Sequence, residues 1–538
     1  MSDGEPFSSS ARFFKSTPGL LLLAMTAIAC LRFYNAAGND LWQDEIVCAY
    51  KAQDGFSRTI EILRNENQPP LYHFVLNIWS GIFGDSACDL RSISIICGLI
   101  MQLLIFAVAR QVCNISTAWW ALLISGCSVA LLEFTQEATP YALFWLFCLF
   151  GSHQFIRCWM KPKNPAGWVL YTLARTAAIY THYFGIFLLC VEGFGCLVHL
   201  RSRGKFFISW CISLAAIVIL FLPWLPVFIE QQRRVSGEFW VPAISPGSII
   251  NAFRQWTLWI PELDHRPWIL ATLLICQVYF ALLISAAYKI FMNARTRSGG
   301  EDVDESTAHN TSTINTRLMF ILLCYVAIPI LAVAVLSLKR SLFTPKYLLI
   351  CAPYYYILVA YGIRTFPSRR LGNIGGGLIL IVSFFFCLMN QSHPGYLNPQ
   401  YRDAARYIRF GWHADDLVLT GDSQSLVALD RQLRDLQTKV YWWNYSRTEI
   451  PFWQGLRGYP PELFVEDISG LLANRPRVWL ILPIPNYKNW ESNYVQNPTP
   501  KPTPLVLHEA GYVRSRYQYF NGIEIYLYTD EQKNTNRF

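Results

Sequence analysis

Long apolar segments separated by short polar ones dominate the first 390 residues of the chain. Most are about 18 or more residues long, enough for a helix to cross about 30 Å of hydrocarbon. Because hydrocarbon offers no hydrogen-bond partners to the backbone, such segments must form helices. The pattern predicts a polytopic α-helical membrane protein with about eleven transmembrane helices. They cover about residues 18–36, 92–109, 114–132, 140–158, 166–180, 184–199, 206–226, 268–290, 318–337, 347–363 and 373–390.

One apolar segment, Leu71–Phe83, differs from these because it has only thirteen residues. As a helix it would be about 20 Å long, which is too short to cross the bilayer. It is therefore predicted to be an amphipathic helix lying at the membrane interface.

The distribution of Lys and Arg orients these helices. If Arg12 and Lys15 are cytoplasmic, the basic clusters between later helices are cytoplasmic as well, in agreement with the positive-inside rule. The polar loop at 293–316 is then also cytoplasmic. An odd number of spans leaves the loop at 39–91 and the tail at 391–538 outside. We expect a plasma-membrane or inner-membrane protein whose active site faces the periplasm or the cell exterior.

The tail differs in character from the rest of the chain, because it is polar and rich in Tyr, Trp and Pro. The pattern predicts a helix at 402–410 and strands at 416–420, 477–483 and 522–528, which indicates a small α/β domain. The predicted organisation is a transmembrane domain at 1–390, with an outer catalytic loop at 39–91, followed by an extracytoplasmic domain at 391–538.

Composition narrows the class of protein. With 53% hydrophobic and 15% charged residues, the chain is neither a soluble globular protein nor a disordered one. The net charge of +9 comes from the cytoplasmic clusters, so nucleic acid is not an expected partner. The fifteen cysteines form no metal motif, and none follows Cys387. Cys48 and Cys88 share the outer loop, either as a bridge or as two unrelated small apolar residues.

Adjacent carboxylates at Asp44 and Glu45 stand just beyond the first predicted span. Partial desolvation at a membrane surface disfavours a charged carboxylate and makes it more basic, which suits a general base. Solvated loop charges are the alternative interpretation. Glu137, beside Tyr141, lies within a turn of the membrane, where an ionised residue is a functional candidate. His182, at another outer junction, is either functional or an ordinary interfacial histidine.

Cations at an outer junction contradict the positive-inside trend. Lys339, Arg340 and Lys346 follow the predicted span at 318–337 or precede the next one. A phosphate at the outer leaflet would account for them. Anchoring by long side chains that reach the interface is the alternative.

Taken in order, these motifs resemble those of the GT-C glycosyltransferases, bacterial branch, a superfamily that also holds protein mannosyltransferases and lipid A aminoarabinose transferases. The resemblance covers about residues 18–390 and, more loosely, the start of the tail at Tyr401. The motifs are Leu41-Trp42-Gln43-Asp44-Glu45, Gln68-Pro69-Pro70-Leu71-Tyr72, Leu90-Arg91-Ser92, Arg110, Gln136-Glu137 with Pro140-Tyr141, and Pro345-Lys346-Tyr347.

The resemblance implies a hexosyl- or pentosyltransferase that moves a sugar from a polyprenyl-phosphate donor to a glycan, lipid or protein acceptor, generally with inversion. It implies catalytic roles for Asp44, Glu45 and Glu137, with Asp44 as general base. Some members use a divalent metal, for which Asp44 and Glu137 are the candidate ligands. Substrate-binding candidates are Gln68, Tyr72, Arg91, Tyr141, His182, Lys339, Arg340, Lys346 and Tyr347.

Two positions depart from the family's pattern. Many relatives have His where this chain has Gln68, and many have Arg where it has Lys346. Lysine keeps the positive charge but not the bidentate geometry of arginine. The competing class is a multi-span transporter or lipid-linked glycan flippase, which would more often show internal repeats and interrupted helices.

Overall fold

A computed structural model describes residues 17–53, 55–198, 200, 204–234, 243–258, 266–298, 316–392, 400–443, 461–473, 475–483, 504–520 and 523–530. Most of the predicted cytoplasmic loop at 293–316 lies outside the described residues. The chain divides into two compact units. The first comprises Met1–Ala36, Asn67–Val75 and Asp89–Ser392, and the second comprises Ala37–Glu66, Leu76–Cys88 and His393–Phe538.

Helices make up the first unit. They are α1 (Thr17–Phe33), α5 (Ala87–Val112), α6 (Ile115–Gly126), α7 (Val129–Thr135), α8 (Tyr141–Met160), α9 (Pro165–Thr181), α10 (Ile186–Val198), α11 (Gly204–Phe221), α12 (Leu225–Arg234), α13 (Pro246–Thr257), α14 (Arg266–Ser298), α15 (Thr316–Ser337), α16 (Ala352–Thr365) and α17 (Arg369–Ser392). Short 3-10 turns at Tyr183–Gly185 and Tyr347–Cys351 precede α10 and α16.

The prediction of a polytopic helical membrane protein is confirmed. Six described helical segments are long and apolar enough to cross a membrane, or seven if α6 and α7 form one bent span. Each of the eleven predicted segments overlaps a helix, although the number of membrane crossings stays a prediction. α6 and α7 differ from the single span predicted at 114–132, because they are bent by 61°. Ser128 begins the second helix by accepting the N–H of Leu131 at 3.2 Å.

A buried ion pair joins α9 to α10 inside the first unit. Arg175 and Glu192 are both 0% exposed, and Nε of Arg175 donates to Oε1 of Glu192 at 3.1 Å. The hydroxyls of Tyr171 and Tyr325 donate to the two carboxylate oxygens at 2.5 and 2.6 Å. Nη2 of Arg175 donates to Oγ of Ser152 at 2.7 Å. The pair is therefore embedded in a network that spans several helices, as a charge removed from water requires.

Close contact between α14 and α16 depends on Gly362. A Cβ at this position would lie 2.0 Å from the carbonyl oxygen of Leu282, a backbone atom that cannot rotate away. Small residues allow helix backbones to approach in this way within membranes. We expect Gly362→Ala to lower the free energy of unfolding by about 1–3 kcal/mol, as overpacking does. The control is Gly377→Ala, where no atom lies within 4 Å of the added Cβ. Equal thermal stability of the two variants would contradict this.

In the second unit, the described tail contains the strands β1 (Leu417–Thr420), β2 (Val440–Trp443), β3 (Phe464–Val465), β4 (Arg477–Pro483), β5 (Tyr512–Phe520) and β6 (Ile523–Asp530). They form a six-stranded sheet of order β3-β2-β1-β4-β6-β5. Strands β1 to β4 pair in parallel with one another, whereas β6 is antiparallel to β4 and to β5. The tail helices are α18 (Tyr401–Phe410), α19 (Ser423–Gln432), α20 (Ser469–Leu472) and α21 (Leu505–Glu509).

The first outer loop contributes helices to this second unit, namely α2 (Gln43–Lys51), α3 (Gly55–Arg64) and the end of α4 (Leu71–Phe83). Ion pairs attach the loop to the tail. Arg402 contacts Asp40 at 3.0 Å, and Arg431 contacts Asp85 at 3.3 Å. Cys48 and Cys88 are both free, so the bridge that their shared loop left open is not formed.

Candidate active site

The first helix of the outer loop carries the acidic pair in its first turn. Glu45 is 0% exposed, and its Oε2 accepts the backbone N–H of Trp42 at 3.0 Å. Its carboxylate thereby accepts the backbone N–H of the N-cap residue at the start of α2. Asp44 is half-buried and precedes it in the same turn. The two neighbours therefore differ, because Glu45 holds the helix start while Asp44 has access to solvent.

In the first unit, Lys346 lies within an aromatic cluster. Its Nζ is 5.6 Å from the ring centroid of Tyr141 and 5.8 Å from that of Tyr347. Such cation–π contacts contribute about 0.5–2 kcal/mol each, depending on desolvation. The ring of His182 packs 5.2 Å from Tyr347 and 6.1 Å from Tyr141. The structure thus brings together four of the predicted substrate-binding residues.

His182 ends α9 and begins the next 3-10 turn. Its Nδ1 accepts the N–H of Phe184 at 3.2 Å, so the neutral ring carries its proton on Nε2. Burial, and secondly the charge of Lys346, lower the pKa of His182 from 6.5 to about 3. The imidazole is therefore neutral at physiological pH and suits hydrogen-bond donation beside the lysine rather than proton transfer.

Because the pKa of His182 is this low, we expect its ionisation to make no contribution to the pH dependence of the activity. The groups around its ring include Tyr141 and Phe144 from α8, Phe184 from its own turn, and Lys346 with Tyr347 ahead of α16. Beside these neighbours the imidazole stays uncharged over about pH 5–8, which is the range in which histidine ordinarily titrates. We expect pH–rate profiles of the same shape for the wild type and His182→Asn. Loss of an acid limb in the variant would show that His182 titrates there.

The segment Gln68-Pro69-Pro70 lies beside a buried histidine, His73, which was not among the predicted site residues. Gln68 and Nε2 of His73 form a hydrogen bond of 3.0 Å, and His73 is 0% exposed. Tyr72 is also buried, at 1% exposed. The backbone carbonyl of Gln68 accepts from Nε2 of Gln231 at 3.3 Å. These contacts hold the turn to the first unit; His73 could have been noticed from the sequence only as a polar residue within an apolar helix.

Glu137, Arg91, Lys339 and Arg340 also belong to the first unit. Glu137 is half-buried in the turn between α7 and α8, where its carbonyl accepts the N–H of Thr139 at 2.9 Å. Arg91 of α5 is buried and donates to the backbone carbonyl of Ala36 at 2.9 Å. This bond attaches α5 to the segment that follows α1. Lys339 is exposed, and Arg340 is half-buried with a pKa lowered by burial.

Asp44 and Glu137 are the predicted candidate ligands for a divalent metal. Within the described ranges, no group of three or more His, Cys, Asp or Glu side chains is arranged to hold a metal ion. Asp44 and Glu137 stay the predicted candidate ligands, and no catalytic step below is assigned to a metal.

Comparison with known proteins agrees with the resemblance. Residues 67–227 match the sequence model of a family described as dolichyl-phosphate-mannose-protein mannosyltransferase. None of the curated protein sequences compared with the chain matches it.

Among solved structures, the chain is similar to ArnT from Cupriavidus metallidurans in its apo state. The TM-score is 0.61 at 12% identity, over 95% of this chain and 98% of that one. The same ArnT bound to undecaprenyl phosphate gives a TM-score of 0.60 at 12% identity, with the same coverage. The fold is thus similar to that of ArnT, and the resemblance to glycosyltransferases related to mannosyltransferases and ArnT is confirmed.

Proposed function

We propose that this protein is a membrane glycosyltransferase that moves a sugar from a polyprenyl-phosphate carrier to an acceptor on the outer face of the membrane. The observation that carries the proposal is Lys346 beside neutral His182 under the rings of Tyr141 and Tyr347. ArnT, whose fold the chain shares, has been solved with undecaprenyl phosphate bound, which supports a donor of this class.

The reaction requires positive charge near the phosphate, where the bond between the sugar and the phosphate of the donor breaks. Transfer from a polyprenyl phosphate passes through an oxocarbenium-like transition state while the phosphate departs with negative charge. Lys346 would stabilise that charge, and Nε2–H of His182 would donate a neutral hydrogen bond. Lys346 is half-buried beside these aromatic rings, and partial removal from water strengthens the interaction of a cation with an anion. Because the donor arrives already activated, the chain needs no nucleotide-binding fold.

The acceptor hydroxyl requires a base, for which we propose Asp44. Its neighbour Glu45 is buried and occupied in capping α2, whereas Asp44 is half-buried in the same turn. Proton removal by the base, with attack from the face opposite the departing phosphate, gives inversion. Glu137 is proposed as the second acidic residue of the reaction. Gln68, Tyr72, Arg91, Lys339 and Arg340 remain proposed substrate contacts.

Turnover by the purified chain tests this function. The protein is incubated with a panel of polyprenyl-phosphate sugars, with and without a chelator, and release of the free polyprenyl phosphate is measured. Release that depends on the sugar and on an added acceptor supports the proposal. Vesicles containing the protein that move lipid-linked sugar across the bilayer without cleaving it would instead support the flippase.

Removing the cation should weaken donor binding. We expect Lys346→Ala to raise the KM for donor by about 10- to 100-fold, because a charge-assisted hydrogen bond contributes about 1.5–3 kcal/mol. The KM rises with little change in kcat if the phosphate is held equally in the ground and transition states. The matched control is Lys205→Ala, an exposed lysine in the first turn of α11. Unchanged kinetics in both variants would leave Lys346 as a membrane anchor.

A further inference from the structure

A groove of about 490 Å³ lies between α1 and α5, within the first unit. Leu21 of α1 forms one side. The other residues lining the groove come from the second half of α5 and are Leu103, Phe106, Ala107, Arg110 and Gln111. None of these residues belongs to the aromatic cluster around Lys346, so the groove is separate from the proposed donor site.

The wall of the groove is apolar and rigid. Phe106 is only 5% exposed and packs edge-on against Trp119, with ring centroids 5.2 Å apart. Leu103, by contrast, is 41% exposed. Since α5 is one of the helices long and apolar enough to cross a membrane, an exposed apolar groove along it faces hydrocarbon chains. The wall therefore fits a lipid acyl chain.

One end of the groove is cationic. Arg110 is exposed in the last turn of α5, and Gln111 Nε2 lies 3.2 Å from Sδ of Met160 at the end of α8. Exposed Lys161 follows Met160 directly in the chain, which brings a second cation to this end of the helices. The sequence contains no Asp or Glu between Asp89 and Glu133, or between Glu137 and Glu192.

The positive charge of Arg110 and Lys161 is larger than the partial negative charge at the C-terminus of α5, which would repel an anion. The C-terminus of α5 carries only about half a negative charge, spread over its last carbonyl groups, against the full charge of each side chain. Basic pockets between transmembrane helices on the cytoplasmic side bind anionic lipid head groups. By the positive-inside rule, this end of α5 is the cytoplasmic one.

We propose that the groove between α1 and α5 binds an anionic glycerophospholipid of the cytoplasmic leaflet. One acyl chain lies against Leu21, Leu103 and Phe106, and the phosphate contacts Arg110 at the cationic end. A guanidinium offers two parallel N–H groups to phosphate oxygens, which favours a charged head group over a zwitterionic one.

Photo-crosslinking of the full-length protein tests the proposal. The protein is reconstituted with photoactivatable phosphatidylglycerol or phosphatidylcholine carrying the same acyl chains, and the labelled peptides are located by mass spectrometry. We expect phosphatidylglycerol to label the segments at 17–33 and 87–112 preferentially. Arg110→Gln should reduce that labelling about fivefold, the effect of about 1 kcal/mol per basic residue near a charged lipid surface. Lys289→Gln, which removes an exposed cation on α14, should leave it unchanged.

Three results would overturn the assignment. Equal labelling by the two phospholipids would show a groove without preference for charge. If Arg110→Gln left the labelling unchanged, Arg110 would not contribute to lipid binding in the groove. Displacement of phosphatidylglycerol by an equimolar polyprenyl phosphate would assign the groove to the donor instead. None of these results depends on the outcome of the turnover assay, because the crosslinking readout requires no sugar transfer.

Discussion

Asp44→Asn is expected to lower kcat by about 10² or more while donor binding survives. The change keeps the size and polarity of the side chain but removes its basicity, and a positioned general base contributes about 10² to 10⁴ in rate. The donor phosphate would be held by Lys346, so the dissociation constant for a non-transferable donor analogue should stay near its wild-type value. The measurement is steady-state kcat together with analogue binding.

Glu45→Gln is the matched control for this prediction. The amide oxygen of glutamine can still accept the N–H of Trp42, so this bond and the start of α2 survive the change. We expect a smaller loss of kcat than in Asp44→Asn. A folded, donor-binding Asp44→Asn protein with near-wild-type turnover would transfer the role of base to Glu45 or Glu137.

Much of the helical architecture could be predicted because membrane solvation leaves few alternatives. Any apolar run of sufficient length must satisfy its own backbone, and this fixed the existence of the long helices before any packing was known. The short helix Leu71–Phe83 has the predicted bounds, because Pro69 and Pro70 stop the chain from extending it backwards. The strand at Arg477–Pro483 also has the predicted bounds. Its short apolar run is bounded by polar residues, which is the pattern of a buried strand.

Contacts between distant residues could not be predicted in the same way. The bend between α6 and α7 depends on Ser128, whose Oγ also lies 2.6 Å from the hydroxyl of Tyr356, 228 positions away. Similarly, the sequence places Lys346 between the predicted spans at 318–337 and 347–363. It does not show that the ring of Tyr141 lies next to the ammonium group of Lys346. Helix periodicity reports which residues share a face, whereas the identity of the opposing face comes from tertiary packing.

The buried pair Arg175–Glu192 is the clearest case of this kind. Its two members are 17 positions apart, on different helices, and neither was a candidate before the structure placed them in contact. Two charges in apolar segments could equally have faced a water-filled pathway, as they do in transporters. Here both are fully buried and hydrogen-bonded to Tyr171, Tyr325 and Ser152, so they form a satisfied internal network. Their role in this structure is to fix helix packing.

Glu192→Leu should therefore be among the most destabilising single changes in the chain. It leaves the guanidinium of Arg175 buried without its counter-charge, and breaking a buried pair from one side costs about 3–5 kcal/mol. The double variant Arg175→Met/Glu192→Leu removes both charges and should recover much of that loss, because a pair replaced by apolar residues leaves no unpaired ion. The measurement is the free energy of unfolding in a detergent that permits reversible unfolding. If the double variant were as unstable as Glu192→Leu, or if both matched the wild type, the destabilisation would not arise from an uncompensated charge.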